Sequence, residues 1–278
     1  MGTSKQGANE DFAAIDLDAR IAVVIDGASG LGKTSVTPAK SDAAWFSHML
    51  GTRMVEHAGD PARGILGILL DAQEETAREY RLFPGSGEVP AIDEPSAGVA
   101  AAIWDDDSLH VATLGDCLAL VAFSDGSTKV FLDGKLPLLD AKAIDEMTRI
   151  ANESGMTVRQ ARDTDAVQGM LVRHRLMRNT EEGYWAADIT GKGMAHCSVH
   201  SFPMAGVRGV FLCSDGYAAA VSEGLFDTVE ELASSTFAGN GEETLRDLRD
   251  AEAQDSDMDR WPRFKQSDDA SYAIVVFA

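Results

Sequence analysis

Cysteine is nearly missing from this chain. There are 3 in 278 residues, Cys117, Cys197 and Cys213, and no C-x-x-C pair. That spacing indicates neither a disulfide framework nor a cysteine-held zinc. All three sit in apolar surroundings and read as reduced core residues. Long apolar runs are missing too, and none approaches a membrane span. The first residues lack the basic-then-apolar pattern of a secretory signal. Met1-Gly2 begins like a myristoylation signal, but Gln6 stands where Ser or Thr is needed. Basic charge is scarce: 24 Lys and Arg against 45 Asp and Glu, a net charge of -21. Such a surface repels nucleic acid and anionic membranes and suits solubility, cation binding or a basic partner. A soluble, cytoplasmic protein with no nucleic-acid and no membrane partner is expected. Repeats and long linkers are likewise missing. With 45% hydrophobic and 25% charged residues, 1–278 reads as a single domain.

What the chain does have is organised around Arg20-Ile21-Ala22-Val23-Val24-Ile25-Asp26-Gly27-Ala28-Ser29-Gly30. An apolar, largely β-branched run that ends in Asp-Gly predicts a buried strand opening into a loop. Asp26 is a hard oxygen ligand at that end. Gly27 has no side chain to keep a ligand from its carbonyl. Together they suit Mg²⁺ or Mn²⁺.

Before that strand, Phe12–Ile15 predicts another, and Asp16–Arg20 a turn between the two. In such a hairpin Glu10 and Asp11 lie near Asp26. Residues 30–40 read as a loop. Helices are predicted from Ser41, a capping residue, and over Ile65–Phe83. Ala97–Trp104, Ser108–Leu114, Leu118–Phe123 and Thr128–Leu132 read as a four-strand antiparallel meander. Residues 138–178 read as helices, and Tyr184–Asp188 and Ala195–Val199 as short strands. Gly209–Cys213 reads as a strand, residues 217–223 and 227–254 as helices, and Asp255–Asp269 as an irregular solvated loop before a closing strand, Ser271–Phe277. Strands and paired helices in this order predict an α+β sandwich.

Acidic residues recur at the strand ends: Glu10-Asp11, Asp26-Gly27, Gly115-Asp116, Ser214-Asp215-Gly216 and Asp268-Asp269. One Asp-Gly is an ordinary turn pair. Five clusters in this order, within Asn9-Glu10-Asp11, Val24-Ile25-Asp26-Gly27, Leu114-Gly115-Asp116-Cys117, Phe211-Leu212-Cys213-Ser214-Asp215-Gly216 and Asp268-Asp269-Ala270-Ser271, resemble the successive motifs of the metal-dependent protein phosphatases of type 2C, over almost the whole chain. The resemblance implies a four-layer sandwich, with two central antiparallel β-sheets flanked by helices on both sides. It implies that Asp26 bridges two Mn²⁺ or Mg²⁺ ions, that the Gly27 carbonyl binds the first and that Asp215 and Asp268 bind the second. Glu10 and Asp11 would then hold metal waters, and Asp116 a possible third ion. Segment 138–180 would be the flap beside the site. The implied partner is a phosphorylated protein, through phosphoserine or phosphothreonine. The implied chemistry is in-line attack on phosphorus by a water made acidic between two cations about 3.5–4 Å apart, with Asp26, Asp215 and Asp268 as the catalytic carboxylates.

The chain departs from the family pattern at two places. Gln6 stands where many members carry a phosphate-gripping arginine, and Ala28 where many carry a histidine suited to act as an acid. These losses suit a second reading, a weakly active pseudophosphatase that serves as a binding module. The retained inner carboxylates oppose it, since an unliganded acidic cluster repels itself. His48, His57, His174, His196 and His200 follow no pattern and read as structural. A third reading comes from Gly27–Thr34, which satisfies G-x-x-x-x-G-K-[ST] after a strand, as in a P-loop nucleotide triphosphatase. Pro38 falls where that motif needs the first turns of a helix, and antiparallel strands follow where parallel βαβ units belong. Asp255-Ser256-Asp257-Met258-Asp259 begins like a calcium loop but has Arg260 where the sharp turn needs glycine.

Overall fold

The computed structural model describes residues 9–32, 34–60 and 63–277. Among these, the first sheet contains β1 (Asp11–Asp16), β2 (Ile21–Ala28), β3 (Ser96–Trp104), β4 (Ser108–Leu114), a two-residue β7 (Ala187–Asp188) and β8 (Ser198–Pro203). Its main path runs β1-β2-β3-β4-β8, with β7 on β3. The second contains β5 (Leu118–Phe123), β6 (Thr128–Phe131), β9 (Val207–Cys213) and β10 (Tyr272–Val276), in the order β10-β9-β5-β6. All these pairings are antiparallel.

The apolar run Ile21–Ile25 forms a strand covered on both faces. Val23 and Ile25 pack towards α1 (Asp42–Ala58) and α2 (Ile65–Tyr80), against Phe46, Leu50 and Leu69. Ala22 and Val24 turn the other way and meet Ala119, Val121, Val210 and Leu212 of the second sheet. The alternation continues in β9, whose Phe211 and Cys213 face Tyr217, Leu232 and Leu245 on α6 (Asp215–Ser222), α7 (Val229–Ser235) and α8 (Gly241–Gln254). Period-two strands buried on both sides give four layers, two helices over one sheet and three over the other. This is the predicted architecture. Alanines at 100 and 102 on the inner face of β3 keep the two sheets close.

Four details differ from the sequence reading. The predicted meander is divided between the sheets: β4 pairs with β8, whereas β5 pairs with β9 and β6. The chain changes sheet at Gly115-Asp116, with Gly115 at φ 76°. Residues 192–196 form a 3₁₀ turn in place of the expected start of a strand, and β8 runs on to Pro203. The expected helix over 227–254 is interrupted by a π-helical turn at Thr236–Asn240, where Gly239 takes φ 94°. Asp255 is buried: its carboxylate accepts hydrogen bonds from the backbone N–H groups of Arg260 and Trp261 and pairs with Arg263 at 2.7 Å, so the segment after α8 folds around it.

The segment after β6 forms α3 (Lys135–Ser154), α4 (Val158–Arg162) and α5 (Asp165–Leu176). Met147, Ala151, Val158, Ala161 and Val167 give these helices a small core of their own, shared with Met258. No helix among the described residues is long and apolar enough to cross a membrane. Cys117, Cys197 and Cys213 are all unpaired, Cys117 and Cys213 buried and Cys197 half-buried.

Candidate active site

Antiparallel register carries the acidic residues to one edge of the sandwich. Asp11, the first residue of β1, lies opposite Asp26 near the end of β2. Gly98 of β3 lies on the other side of Asp26. Leu118 and Tyr272 both face Cys213, so Asp116, Asp215 and Asp268 come from the same edge of the second sheet. Asp116, Asp140, Asp215 and Asp268 line a cleft of about 550 Å³ between the α3–α5 segment, α6 and the loop before β10. Asp26 lies behind it, within electrostatic reach of Asp11, Asp116 and Asp215.

The local reasons are specific. A side chain on Gly27 would put its Cβ 2.5 Å from the Glu10 carbonyl oxygen, which also accepts the Gly27 N–H at 3.0 Å. Glycine at that position therefore serves close packing of β2 on the chain before β1, besides leaving its own carbonyl bare. A Cβ on Gly98 would sit 2.6 Å from Asp116 Oδ1, so the missing side chain makes the space for that carboxylate. Ser214 joins the sheets: its hydroxyl donates to Asp11 Oδ2 at 2.8 Å and accepts the Ser271 N–H at 3.0 Å.

The charges are poorly compensated. Burial, followed by repulsion from Asp215, Asp11 and Asp116, holds the Asp26 carboxyl far above the usual range. Burial and then Asp215 and Asp140 do the same to Asp116. Burial, then Asp268, raises Asp215, even though that side chain opens onto the cleft. Asp11 is pushed up to about 7 by burial, with Asp215 adding to it, and its Oδ1 is buried with no hydrogen-bond partner. Asp26 lies near the end of β2 and Asp215 opens the helix that follows β9, so the two reach one another electrostatically from the two halves of the sandwich.

These features test the fit to a divalent cation. Among the described residues no three His, Cys, Asp or Glu side chains converge on one point, so the acids flank a cleft and do not close a cage. The donor set is nonetheless all oxygen, one buried carboxylate oxygen, Asp11 Oδ1, is orphaned, and burial and mutual repulsion disfavour the charge on Asp26. Hard cations with several waters in their shells suit such a site. The residues fit the group.

The remaining acids have other partners. Glu10 Oε1 accepts the hydroxyls of Ser29 and, at 2.6 Å, Ser41, while its N–H donates to Asp269 at 2.8 Å. Asp268 Oδ1 accepts Lys265 Nζ at 2.9 Å. Gln6 lies outside the described residues, as does Lys33 of the P-loop-like stretch. The described part of that stretch is closed by the protein itself. The Gly32 and Thr34 N–H groups donate to the Asp93 carboxylate at 2.6 and 3.3 Å, and the next helix begins only at Asp42. An internal carboxylate thus takes the backbone donors that a phosphate would need. The histidines have structural contacts: His48 Nε2 bonds the Asp11 carbonyl at 3.0 Å, and His196 stacks on Trp185 at 3.5 Å.

Sequence reasoning missed Asp140 and Lys265. Asp140 sits on the half-buried side of α3 and is pushed up to about 7 by burial and by Asp215. Nothing in its surroundings, Leu138-Leu139-Asp140-Ala141, distinguishes it from a solvated helical acid. Lys265 stands three residues before Asp268, and that spacing was the available signal.

Comparison with known proteins agrees with this fold. The family profile described as protein phosphatase 2C matches residues 3–256. Among solved structures, the serine/threonine phosphatase PstP/Ppp of Mycobacterium tuberculosis superposes with a TM-score of 0.55 at 14% identity, over 99% of this chain and 96% of that one. The serine/threonine phosphatase Stp1 of Staphylococcus aureus gives 0.53 at 12% identity, over 100% and 93%. The PstP catalytic domain in complex with 2 manganese ions gives 0.52 at 14%, over 99% and 95%. At these identities the likeness is one of fold. No match was found among curated protein sequences.

Proposed function

The chain belongs to the protein phosphatase 2C family, and from that premise we propose that it is a metal-dependent phosphomonoester hydrolase acting on phosphoserine or phosphothreonine in proteins. The observation that best supports the reading is the gathering of Asp116, Asp140, Asp215 and Asp268 around one open cleft, with Asp26 within electrostatic reach of Asp116 and Asp215. Asp26, the Gly27 carbonyl, Asp215 and Asp268 would hold two ions, Mn²⁺ or Mg²⁺. Glu10 and Asp11 would orient waters around them, and Asp116 would serve a third ion. Bound ions supply positive charge for the phosphoryl oxygens and acidify a water. The chain's own part is positional. Ser214 fixes the Asp11 carboxylate, and the fold keeps Asp26 within electrostatic reach of Asp215. Helix α3, which begins three residues before the expected flap 138–180, walls one side of the cleft, with Pro137, Asp140 and Ile144 lining it. With Ala28 in place of a histidine, the leaving oxygen takes its proton from water or from another acid of the cleft.

Hydrolysis of an aryl phosphate by the purified protein tests this, in Mn²⁺, in Mg²⁺ and in chelator, with Asp26→Ala as control. Turnover that needs metal and is lost with Asp26 is the expected result. Metal binding without turnover would favour a pseudophosphatase. No metal binding would overturn the reading.

A further inference from the structure

A phosphomonoester entering the cleft meets Asp116, Asp140, Asp215 and Asp268, with Asp26 behind them. Its own two negative charges are repelled by each of these carboxyls that is ionised unless positive charge intervenes. The cleft has three basic side chains, Arg260, Arg263 and Lys265, all from the segment between α8 and β10. Arg263 is committed: it bonds Asp255 Oδ2 at 2.7 Å, the Asp255 carbonyl at 3.1 Å and the Gln266 carbonyl at 3.1 Å. The Arg260 guanidinium lies 4.0 Å over the Trp261 ring. Lys265 differs from both. Its ammonium, with three donors, has one bond, to Asp268 Oδ1 at 2.9 Å, and its side chain is 57% exposed. Its charge also acts on Asp26 and Asp215. The segment that carries it is not loose surface, because the buried Asp255 ties Arg260, Trp261 and Arg263 into one turn.

We propose that Lys265 is the protein-borne cation that grips the substrate's phosphoryl oxygens. Were Asp268 to hold a divalent ion, Lys265 would lose its one acceptor and be left to present its donors to the cleft. A phosphate there supplies up to three acceptor oxygens to a point charge on a flexible stem. This inference rests on the phosphatase reading. The opposing explanation is that Lys265 is only a counter-ion that relieves crowding among the carboxylates. The two differ in what changes when the charge is removed.

The test is calorimetric titration of inorganic phosphate into the Mg²⁺-loaded protein, of Mg²⁺ alone into the metal-free protein, and aryl phosphate kinetics, each for wild type, Lys265→Ala and Lys265→Arg. For Lys265→Ala we expect phosphate to bind about ten-fold more weakly and KM to rise in step, with Mg²⁺ affinity not reduced. Lys265→Arg should recover most of the phosphate affinity. Unchanged phosphate affinity and KM in Lys265→Ala, with tighter Mg²⁺ binding, would overturn the proposal and leave the phosphatase reading intact. A wild type that neither binds Mg²⁺ nor hydrolyses the ester would overturn both.

Discussion

The two edges of this sandwich carry the same residue type in opposite states. At one edge Asp16 ends β1, and Asp105 and Asp125 stand in the connections after β3 and β5. Each accepts N–H groups from its own turn: Asp16 from Asp18 and Ala19, Asp105 from Asp107 and Ser108, Asp125 from Ser127. Backbone hydrogen bonds hold the Asp105 carboxyl below its usual range, and bonds from Ser127, side chain then backbone, do so for Asp125. At the other edge Asp26 and Asp116 are raised by burial and then by Asp215, and Asp215 by burial and then by Asp268. A carboxylate that closes its own turn is electrostatically satisfied and chemically inert. One crowded by other acids is left needing a cation even where a local N–H reaches it, as the Asp269 N–H reaches Asp268. The difference between a turn and a site is burial and the company of other acids.

The sharpest way to break this comparison is to neutralise one acid at the crowded edge. Asp26→Asn or Asp215→Asn should lower metal-dependent turnover at least about a thousand-fold while raising the melting temperature of the metal-free protein, because each removes a repelled charge. Retained turnover in either would put both edges in the same class. Next is the joint between the sheets. Ser214→Ala leaves Asp11 Oδ2 and the Ser271 N–H without a buried partner, and should cost about 1–3 kcal/mol in denaturant unfolding.

A third test uses pH. Asp11, Asp140 and Glu223 are each pushed up to about 7, chiefly by burial, whereas an unfolded carboxyl titrates near 4. Between those values the folded state holds more protons than the unfolded one, so their contribution is full at low pH and lost as pH rises through about 7. The melting temperature of chelator-treated protein should therefore fall from pH 5.5 to 8, and added Mn²⁺ should reverse the fall most at pH 8. A metal-free melting temperature that rises over that range would contradict the charge crowding. The smallest effect belongs to the satisfied edge. Asp105→Ala or Asp125→Ala should lower the melting temperature by no more than about 2–3 °C, with turnover and Mn²⁺ affinity unchanged.

Much of this was legible in the sequence, and what was not has a physical cause. Ile21–Ile25 announced a doubly covered strand because every position is apolar, and the antiparallel hairpin then fixed Asp11 opposite Asp26. The strands on either side of Gly115-Asp116 were legible as strands, but not their assignment to different sheets. A tight glycine turn reads the same whether the chain folds back or crosses over, and only the partners of β4 and β5 decide. Asp255 looked solvated because composition cannot reveal that Arg260, Trp261 and Arg263 close around it. Asp93 escaped notice because its partners, Gly32 and Thr34, lie about sixty residues away.

The crowded edge draws on both extremes of the chain. Glu10 bonds Asp269 across 259 positions and Asp11 bonds Ser214 across 203. During synthesis, then, the ribosome releases β1 and β2 long before their counterparts exist, and no partial product holds a working set of carboxylates. The acidic edge is complete only after residue 268 has cleared the exit tunnel and β10 has docked on β9. A truncated translation product lacking that strand would lack the assembled edge.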